Sequence, residues 1–204
     1  FWLPGAMAAP TPVSAYLHAA AMVKAGVFLV ALLAPAFAHV PGWRELLLPL
    51  GALTMVLGGW RSLRQYDIKL LLAYGTVSQL GFLLTVLGIG TQMAALAGLA
   101  MVLAHALFKA SLFLVVGIID KHTGTRDIRK LHDVRLQMPL VFAIAVAAAM
   151  SMAGLPPLLG FVAKESIFSA VIAVAQEGEG TGLAGPPGWA LLVAVLMGTY
   201  GSLM

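Results

Sequence analysis

The chain has 204 residues, of which 61% are hydrophobic and 10% are charged, and its formal net charge is +4. A soluble globular domain carries about 45–50% apolar and about 25% charged residues, so this composition excludes a soluble globular fold. The chain contains no cysteine, which excludes disulfides, thiolate metal sites, iron–sulfur clusters and a cysteine nucleophile. We therefore predict an all-α polytopic transmembrane helix bundle with about six crossings of about 20 residues each.

Apolar stretches follow one another along the chain and predict its helices. We place these helices at residues 12–34, 46–64, 69–88, 93–119, 139–174 and 189–204. We expect the first helix to stop before Pro35, because proline lacks the N–H that a helix interior needs. The fifth stretch is too long for one straight crossing, and we expect GLPPLLG at 154–160, with Gly154, Pro156 and Pro157, to break it.

Both ends of the sequence are typical of an internal fragment. Phe1 is not an initiator, no charged segment precedes the first apolar run, and Met204 lies inside the last one. We expect residues 1–204 to be a fragment of one longer membrane domain.

Basic residues are concentrated in two of the predicted loops, 61–69 and 120–138. They are Arg61, Arg64, Lys69, Lys121, Arg126, Arg129, Lys130 and Arg135. Cytoplasmic loops of membrane proteins carry an excess of Lys and Arg, so we expect both loops to be cytoplasmic. The positive charge therefore reflects orientation in a lipid bilayer, and we expect no nucleic-acid partner.

Three lysines lie inside predicted membrane helices: Lys24, Lys109 and Lys164. A charge at the centre of a membrane helix costs roughly 2.5–3.5 kcal/mol even on insertion scales. Lys109 lies roughly 15 Å and Lys24 roughly 18 Å from its helix end, a depth from which snorkelling to the interface is difficult. Titratable groups at this depth are typical of proton pathways. The alternative is a structural lysine that donates to backbone carbonyls.

Two histidines accompany these lysines. His105 precedes Lys109 by four residues and shares its helix face, so a proton on one group disfavours a proton on the other. His18 precedes Lys24 by six residues, about 240° beyond a full turn, so the two side chains do not stack on one face. A water-filled seam between helices can still serve both. We predict roles in proton transfer for both histidines, and the alternative is that each is a buried packing residue.

Lys164 and Glu165 directly follow the predicted helix break. Adjacent prolines leave nearby carbonyls unpaired, and such backbone is tolerated at membrane depth only where it faces protein or water. Because discontinuous helices form ion sites in transporters, we predict that Lys164 belongs to a proton pathway. The alternative is a simple proline kink with a lysine near the outer interface.

The remaining polar motifs give weaker signals. Asp67 and Lys69, at the head of the predicted helix 69–88, are candidates for a cytoplasmic proton entry. A solvated ion pair at a helix end is an equally good interpretation of these two residues. The sequence has no Walker loop, Rossmann glycine pattern, nucleophile elbow or HExxH motif, so we expect neither a cofactor nor a metal site.

Four segments together resemble the proton-translocating antiporter family. They are AAPTPVSAYLHAAAMVKAG at 8–26, QYDIKLLLAYGTVSQLGF at 65–82, AHALFKASLFLVVG at 104–117 and SMAGLPPLLGFVAKE at 151–165. This family comprises large membrane subunits of NADH:quinone oxidoreductase, of membrane-bound hydrogenases and of Mrp-type multisubunit cation/proton antiporters. IIDKHTGTRDIRKL at 118–131 and the lysine in MVKAG resemble the Mrp-type branch most closely.

The resemblance implies a half-channel design in which a central line of lysines and histidines carries protons. Carried over by motif, His18 and Lys24 lie on that line. Lys109 is its middle lysine with His105 beside it, and Lys164 is the terminal lysine toward the outside.

Two positions depart from the family pattern. Met101 stands where respiratory relatives often place another histidine, and Ala21 stands where many relatives have a hydroxyl residue. Met101 therefore puts a direct histidine-to-histidine transfer in doubt and leaves room for water.

Two function classes follow from the resemblance. The first is a secondary transporter: a multi-pass component of a bacterial cell-membrane antiporter that exchanges H⁺ for a cation, Na⁺ being expected, together with other membrane subunits. The alternative is a proton-pumping subunit of respiratory NADH:quinone oxidoreductase or of a membrane-bound hydrogenase. A long further membrane extension after residue 204 would favour the first class, and a lateral amphipathic helix would favour the second. A purely structural scaffold conflicts with three lysines at membrane depth.

Overall fold

The computed structural model describes residues 2–177 and 186–201. Within these ranges the regular secondary structure is helical, apart from one antiparallel bridge between Asp67 and Asp127. The helices are α1 (Trp2–Gly5), α2 (Thr11–Ala15), α3 (Met22–Phe37), α4 (Trp43–Ser62), α5 (Ile68–Gly88), α6 (Gln92–Thr123), α7 (Val134–Gln137), α8 (Pro139–Ala153), α9 (Leu159–Glu177) and α10 (Pro186–Gly201). The predicted all-α class is confirmed.

Several of these helices are long and apolar enough to cross a membrane. In the described part of the chain they are Thr11–Phe37, Ile68–Gly88, Gln92–Thr123 and Leu159–Gln176, with Pro139–Ala153 as a shorter apolar helix. α4 has comparable length but carries Arg44, Glu45 and Arg61 near its ends. Residues 202–204 of the predicted last helix lie outside the described ranges. These helices form the predicted transmembrane bundle.

The first predicted helix differs from the structure in two ways. The expectation that it stops before Pro35 is wrong, because α3 continues through this proline to Phe37. Pro35 removes only one N–H donor, and the Ala38 N–H still donates to the Ala34 carbonyl at 2.9 Å. In addition, a π-helical turn at Tyr16–Ala20 joins α2 to α3. It widens the helix by one residue where His18 lies.

Two helix ends also differ from the predicted ranges, and each is explained by a cap. α4 begins at Trp43, before the predicted residue 46, because the Glu45 carboxylate accepts a hydrogen bond from the Gly42 N–H at 2.8 Å. α6 continues past the predicted residue 119 to Thr123, where Gly124 adopts the left-handed conformation (φ 67°) that ends many helices.

The core of the bundle is formed by α5 and α6. α5 is the most buried of the candidate membrane spans, and it packs closely against α4. A Cβ atom at Gly58 would lie 2.6 Å from the Ser78 backbone nitrogen, and one at Gly81 would lie 2.5 Å from the Met55 nitrogen. Glycine therefore permits a backbone-to-backbone approach between α4 and α5 that no other residue allows at these positions.

The two cation-rich loops pair with each other. The Ile68 N–H donates to the Arg126 carbonyl at 3.0 Å, and the Ile128 N–H donates to the Tyr66 carbonyl at 2.9 Å. The Arg126 Nε atom also lies 3.8 Å from Asp67 Oδ2. The pairing fixes the start of α5 to the loop that follows α6.

Candidate functional site

Lys109 lies at the centre of the bundle, on α6. Its side chain is only 1% exposed, and its Nζ donates to the Leu72 carbonyl of α5 at 3.1 Å. The same carbonyl accepts a hydrogen bond from Thr76 Oγ1 at 2.9 Å. A Cβ atom at Gly75 would lie 3.0 Å from Lys109 Nζ, so the absence of a side chain at Gly75 makes room for the ammonium group.

His105 lies one turn before Lys109 and is fully buried. Its ring contacts Phe108 edge-on, with 5.4 Å between ring centroids. Neither ring nitrogen has a hydrogen-bond partner within the described residues. The ammonium groups of Lys109 and Lys24 both lie close enough to act electrostatically on this ring. The structure thus brings His105 between the two lysines.

Lys24 reaches the same face of α6 from α3. Its side chain is 6% exposed, and its Nζ donates to the Val102 carbonyl at 3.0 Å. His18, on the π-helical turn, contacts Phe113 with 5.7 Å between ring centroids. Residues 102, 105, 109 and 113 recur every three or four positions and share one face of α6.

We call Lys24, His105, Lys109 and His18 the α6 line, in the order in which they meet that helix. The distance along α6 from residue 102 to residue 113 is about 16 Å. His18 and Lys24 need not share a face of their own helix, because each contacts a different level of α6. The structure therefore brings together four of the five residues of the predicted proton pathway.

Lys164, the fifth, lies at the helix break. α8 ends at Ala153, and Gly154 follows in the left-handed conformation (φ 83°). The Lys164 Nζ donates to the Met152 carbonyl at 2.8 Å and to the Ala153 carbonyl at 3.1 Å. The lysine thus caps the last carbonyls of α8, which the end of the helix leaves without intrahelical donors. Pro156 and Pro157 lie in the connection and do not line this contact.

Glu165 does not join Lys164. Its side chain is exposed on this part of the chain, and it borders the outer groove formed with Ser166, Ser169 and Met93. The adjacent acid and base predicted from the sequence therefore point in different directions.

Lys69 corrects one of the two interpretations given to the Asp67–Lys69 pair. Its side chain is 2% exposed, so it is not part of a solvated ion pair. Its Nζ donates to the Met7 carbonyl at 2.9 Å and to the Ala9 carbonyl at 2.5 Å. The Asp67 carboxylate instead caps α5, accepting from the Lys69 N–H at 2.8 Å. Lys69 also lies within electrostatic range of His18.

Sequence reasoning missed the polar residues of α5 that face Lys109. Thr76, Ser78 and Gln79 are all buried, and they lie within the apolar run 69–88. Uncharged polar residues at membrane depth are themselves a signal of function or helix contact, and that signal was present in the segment TVSQ. In the described residues, no group of three His, Asp or Glu side chains is placed to hold a metal ion.

Comparison with known proteins places this arrangement in a family. The model of the NADH:quinone oxidoreductase/Mrp antiporter transmembrane family matches residues 1–177. The A subunit of the Na⁺/H⁺ antiporter of Alkalihalophilus pseudofirmus is 48% identical over 185 residues, which cover 84% of this chain and 23% of that protein. The chain therefore spans less than a quarter of the length of this curated relative.

Two solved structures are similar to the whole fold. A chain of the Mrp complex from Dietzia sp. superposes with a TM-score of 0.90 at 45% identity, over 99% of this chain and 22% of that chain. A chain of the membrane-bound sulfane sulfur reductase, an archaeal respiratory complex, superposes with a TM-score of 0.84 at 28% identity, over 98% of this chain and 39% of that chain. The predicted resemblance is confirmed: the chain belongs to the NADH:quinone oxidoreductase/Mrp antiporter transmembrane family.

Proposed function

We propose that this chain is part of the A subunit of an Mrp-type sodium/proton antiporter, a secondary transporter made of several membrane subunits. In this proposal protons move along the α6 line, and Lys164 exchanges them at the break between α8 and α9. The protein lies in a bacterial cell membrane, with the loops 61–69 and 120–138 on the cytoplasmic side. Both the relative from A. pseudofirmus and the Dietzia complex carry names of this class.

One observation carries the proposal: the ammonium groups of the α6 line are buried against main-chain carbonyls. Lys109 donates to Leu72 and Lys24 donates to Val102. Within the described residues neither ammonium group has a carboxylate partner. Because no salt bridge holds these protons, each can pass to a neighbour without an ion pair being broken. The buried ring of His105, without a hydrogen-bond partner, lies between them.

The experiment that tests this function follows Lys109. The full antiporter complex is reconstituted into liposomes, and the pH change driven by added Na⁺ is recorded with a trapped dye. We expect Lys109→Ala to slow the exchange by about 100-fold or more, the scale on which loss of a proton-transfer group acts. We expect Lys109→Arg to fail as well, since arginine does not release its proton.

Lys121 supplies the control for these variants. It lies on the same helix, but its side chain is exposed near the end of α6. Lys121→Ala and Lys121→Arg should therefore exchange ions at the normal rate. Sodium-driven exchange that persists in Lys109→Ala would contradict the proposed role of the α6 line.

The second candidate function is a proton-pumping subunit of a respiratory complex. The observation that favours it is the similarity to the archaeal sulfane sulfur reductase over nearly the whole chain. The same liposomes separate the two candidates. An antiporter responds to a Na⁺ gradient without any electron donor, whereas a respiratory pump moves protons only while its redox substrates are supplied.

A further inference from the structure

A polar cavity of about 150 Å³ lies beside Lys109, between α4 and α5. The residues of its wall that carry the argument are Ser62, Gly75, Ser78, Gln79, Lys109 and Met152. None of the functional roles described above uses this cavity.

The cavity extends along the helices, from one end of the bundle to its middle. Leu71, Gly75 and Gln79 are spaced four residues apart on α5 and share one face. The distance from the first to the third is about 12 Å along the helix axis. Ser62, at the other end of the wall, is the last residue of α4 and adjoins the cation-rich loop. The cavity therefore joins the cation-rich end of the bundle to the level of Lys109.

The wall of the cavity contains an amide oxygen that lacks a partner. Gln79 is 4% exposed, and its Oε1 accepts no hydrogen bond within the described residues. Leaving a buried acceptor unsatisfied costs about 1–3 kcal/mol. A water needs only about 10–15 Å³ of such space and two to four polar partners, and this cavity has room for several waters.

Other polar groups in the wall can hold such waters. Ser62 Oγ donates to the Leu71 carbonyl at 3.0 Å, and Ser78 Oγ donates to the Met55 carbonyl at 2.8 Å. Each hydroxyl oxygen still has lone pairs that can accept from water. Lys109 Nζ has three N–H donors and uses one on Leu72. Gly75 keeps the passage open, since its Cβ would lie between Lys109 Nζ at 3.0 Å and Ser62 Oγ at 3.8 Å.

We propose that this cavity is a water-filled side access to Lys109 from the cation-rich end, and that Gln79 is the positioning residue that holds its innermost water against the ammonium group. Its role in transport rests on the proposed function, whereas its hydration can be measured without transport. Protons then reach or leave the α6 line at its middle as well as at its ends.

Labelling with silver tests the hydration. In the complex lacking other accessible cysteines, Gln79→Cys and the nearly isosteric Ser78→Cys are treated with silver nitrate. The thiols left unreacted are then counted with a maleimide after denaturation. Leu57→Cys is the control, because it lies on α4 next to Gly58, which packs against Ser78, yet its own side chain faces outward. We expect silver to react at both cavity positions about tenfold or more faster than at Leu57, because the ion reaches them through water.

A rate at both cavity positions that is no faster than at Leu57→Cys would overturn the hydrated access. This result is independent of transport, so it is distinct from a failure of the proposed function, which Lys109→Ala detects. If only Gln79→Cys is poorly folded, Ser78→Cys alone decides the outcome.

The role of Gln79 is tested by transport. Gln79→Leu keeps most of the side-chain volume and removes the amide oxygen. We expect it to slow exchange about tenfold, the effect of losing roughly one hydrogen bond, and to shift its pH profile. Gln79→Asn should recover part of the rate, because it keeps an amide that a water can bridge.

The control is Gln92→Leu, the same change at the exposed start of α6, which should leave both rate and pH profile unchanged. A role in packing alone would lower the amount of folded complex and leave the pH profile in place. An unchanged pH profile in Gln79→Leu would therefore overturn the positioning role.

Discussion

Gly154 shows how a single residue couples the helix break to Lys164. A Cβ atom at this position would lie 2.8 Å from the Lys164 Cδ atom, and the residue has a φ of 83°. Gly124 also ends a helix with a positive φ, 67°, but nothing lies within 4 Å of its Cβ position. The two glycines therefore share a backbone requirement, and only Gly154 also borders a lysine of the proposed pathway.

Gly154→Ala is expected to impair transport, whereas Gly124→Ala is not. Each change costs about 1–2 kcal/mol, because a Cβ atom disfavours the left-handed conformation. The thermal midpoints of the two variants should thus fall by similar amounts. Only Gly154→Ala displaces the Lys164 side chain from the Met152 and Ala153 carbonyls, and sodium-driven exchange in liposomes measures the consequence. Equal rates in the two variants would show that the contact with Lys164 does not matter for transport.

Sequence analysis identified the charged residues of the site but not their partners. Lys24 and Lys109 stand out because a charge in an apolar stretch is costly wherever it lies. The acceptors are main-chain carbonyls, which every residue type supplies, so no sequence pattern marks Leu72 or Val102. Lys69 was partly misinterpreted for the same reason, since the carbonyls that it reaches lie about 60 positions away at Met7 and Ala9.

At the scale of helices, the contact between α4 and α5 depends on which of two neighbouring glycines faces the partner. A Cβ atom at Gly58 would lie 2.6 Å from the Ser78 backbone nitrogen, whereas one at Gly59 would lie 3.5 Å from the Ser78 hydroxyl. We expect Gly58→Ala to destabilise the complex by about 1–3 kcal/mol, because two backbones must separate.

Gly59→Ala is the matched control, and we expect it to be neutral or stabilising by up to about 1 kcal/mol through helix propensity. Thermal unfolding of the purified complex, followed by static light scattering or dye binding, compares the two variants. A destabilisation of the same size in both would mean that the α4–α5 contact is looser than the structure has it.

The paired loops form a second structural element, and the acid Asp127 holds it. The hydrogen bond from the Arg129 side chain lowers the pKa of Asp127 to about 2. The Arg129 guanidinium also lies 4.2 Å above the Tyr66 ring. A lowered carboxyl pKa stabilises the folded form above the ordinary pKa of about 4. That contribution is lost as pH falls through about 2, so the loop pairing should not change between about pH 6 and 9.

We expect Asp127→Asn to loosen this pairing at neutral pH, since the ion pair with Arg129 is lost. Hydrogen exchange at the Ile128 amide, which donates to the Tyr66 carbonyl at 2.9 Å, should become faster. Asp133→Asn is the control, because Asp133 is exposed in the same loop and its side chain caps no helix. Exchange at the Ile128 amide that is equally slow in both variants would contradict a role for Asp127 in the pairing.

The whole molecule could be predicted from sequence to the level of helices and their family, but not to the level of helix packing. Apolar length predicted where each long helix lies, and the positions of its lysines followed. The π-helical turn at Tyr16–Ala20 could not be predicted, since no composition signal distinguishes it from regular helix. Its effect is to direct His18 and Lys24 to two levels of α6, so the α6 line depends on a local irregularity.

Orientation in the membrane is the last property of the whole molecule that the charges predict. The paired loops carry Arg61, Arg64, Lys121, Arg126, Arg129 and Lys130, and an excess of basic residues marks the cytoplasmic side. His122 lies exposed at the end of α6 near these loops, and His39 lies exposed between α3 and α4. An odd number of predicted crossings, α4, α5 and α6, separates the two histidines, so they should lie on opposite sides.

We therefore expect His122→Cys to react with a membrane-impermeant maleimide only in inverted vesicles, and His39→Cys only in intact cells. The two variants make the same chemical change and control for each other. Permeabilised cells should label both, which checks that each thiol is reactive. Labelling of both from one side would mean that one of α4, α5 and α6 does not cross the bilayer. Because Arg61 adjoins Ser62, the proposed side access to Lys109 opens on whichever side labels His122→Cys.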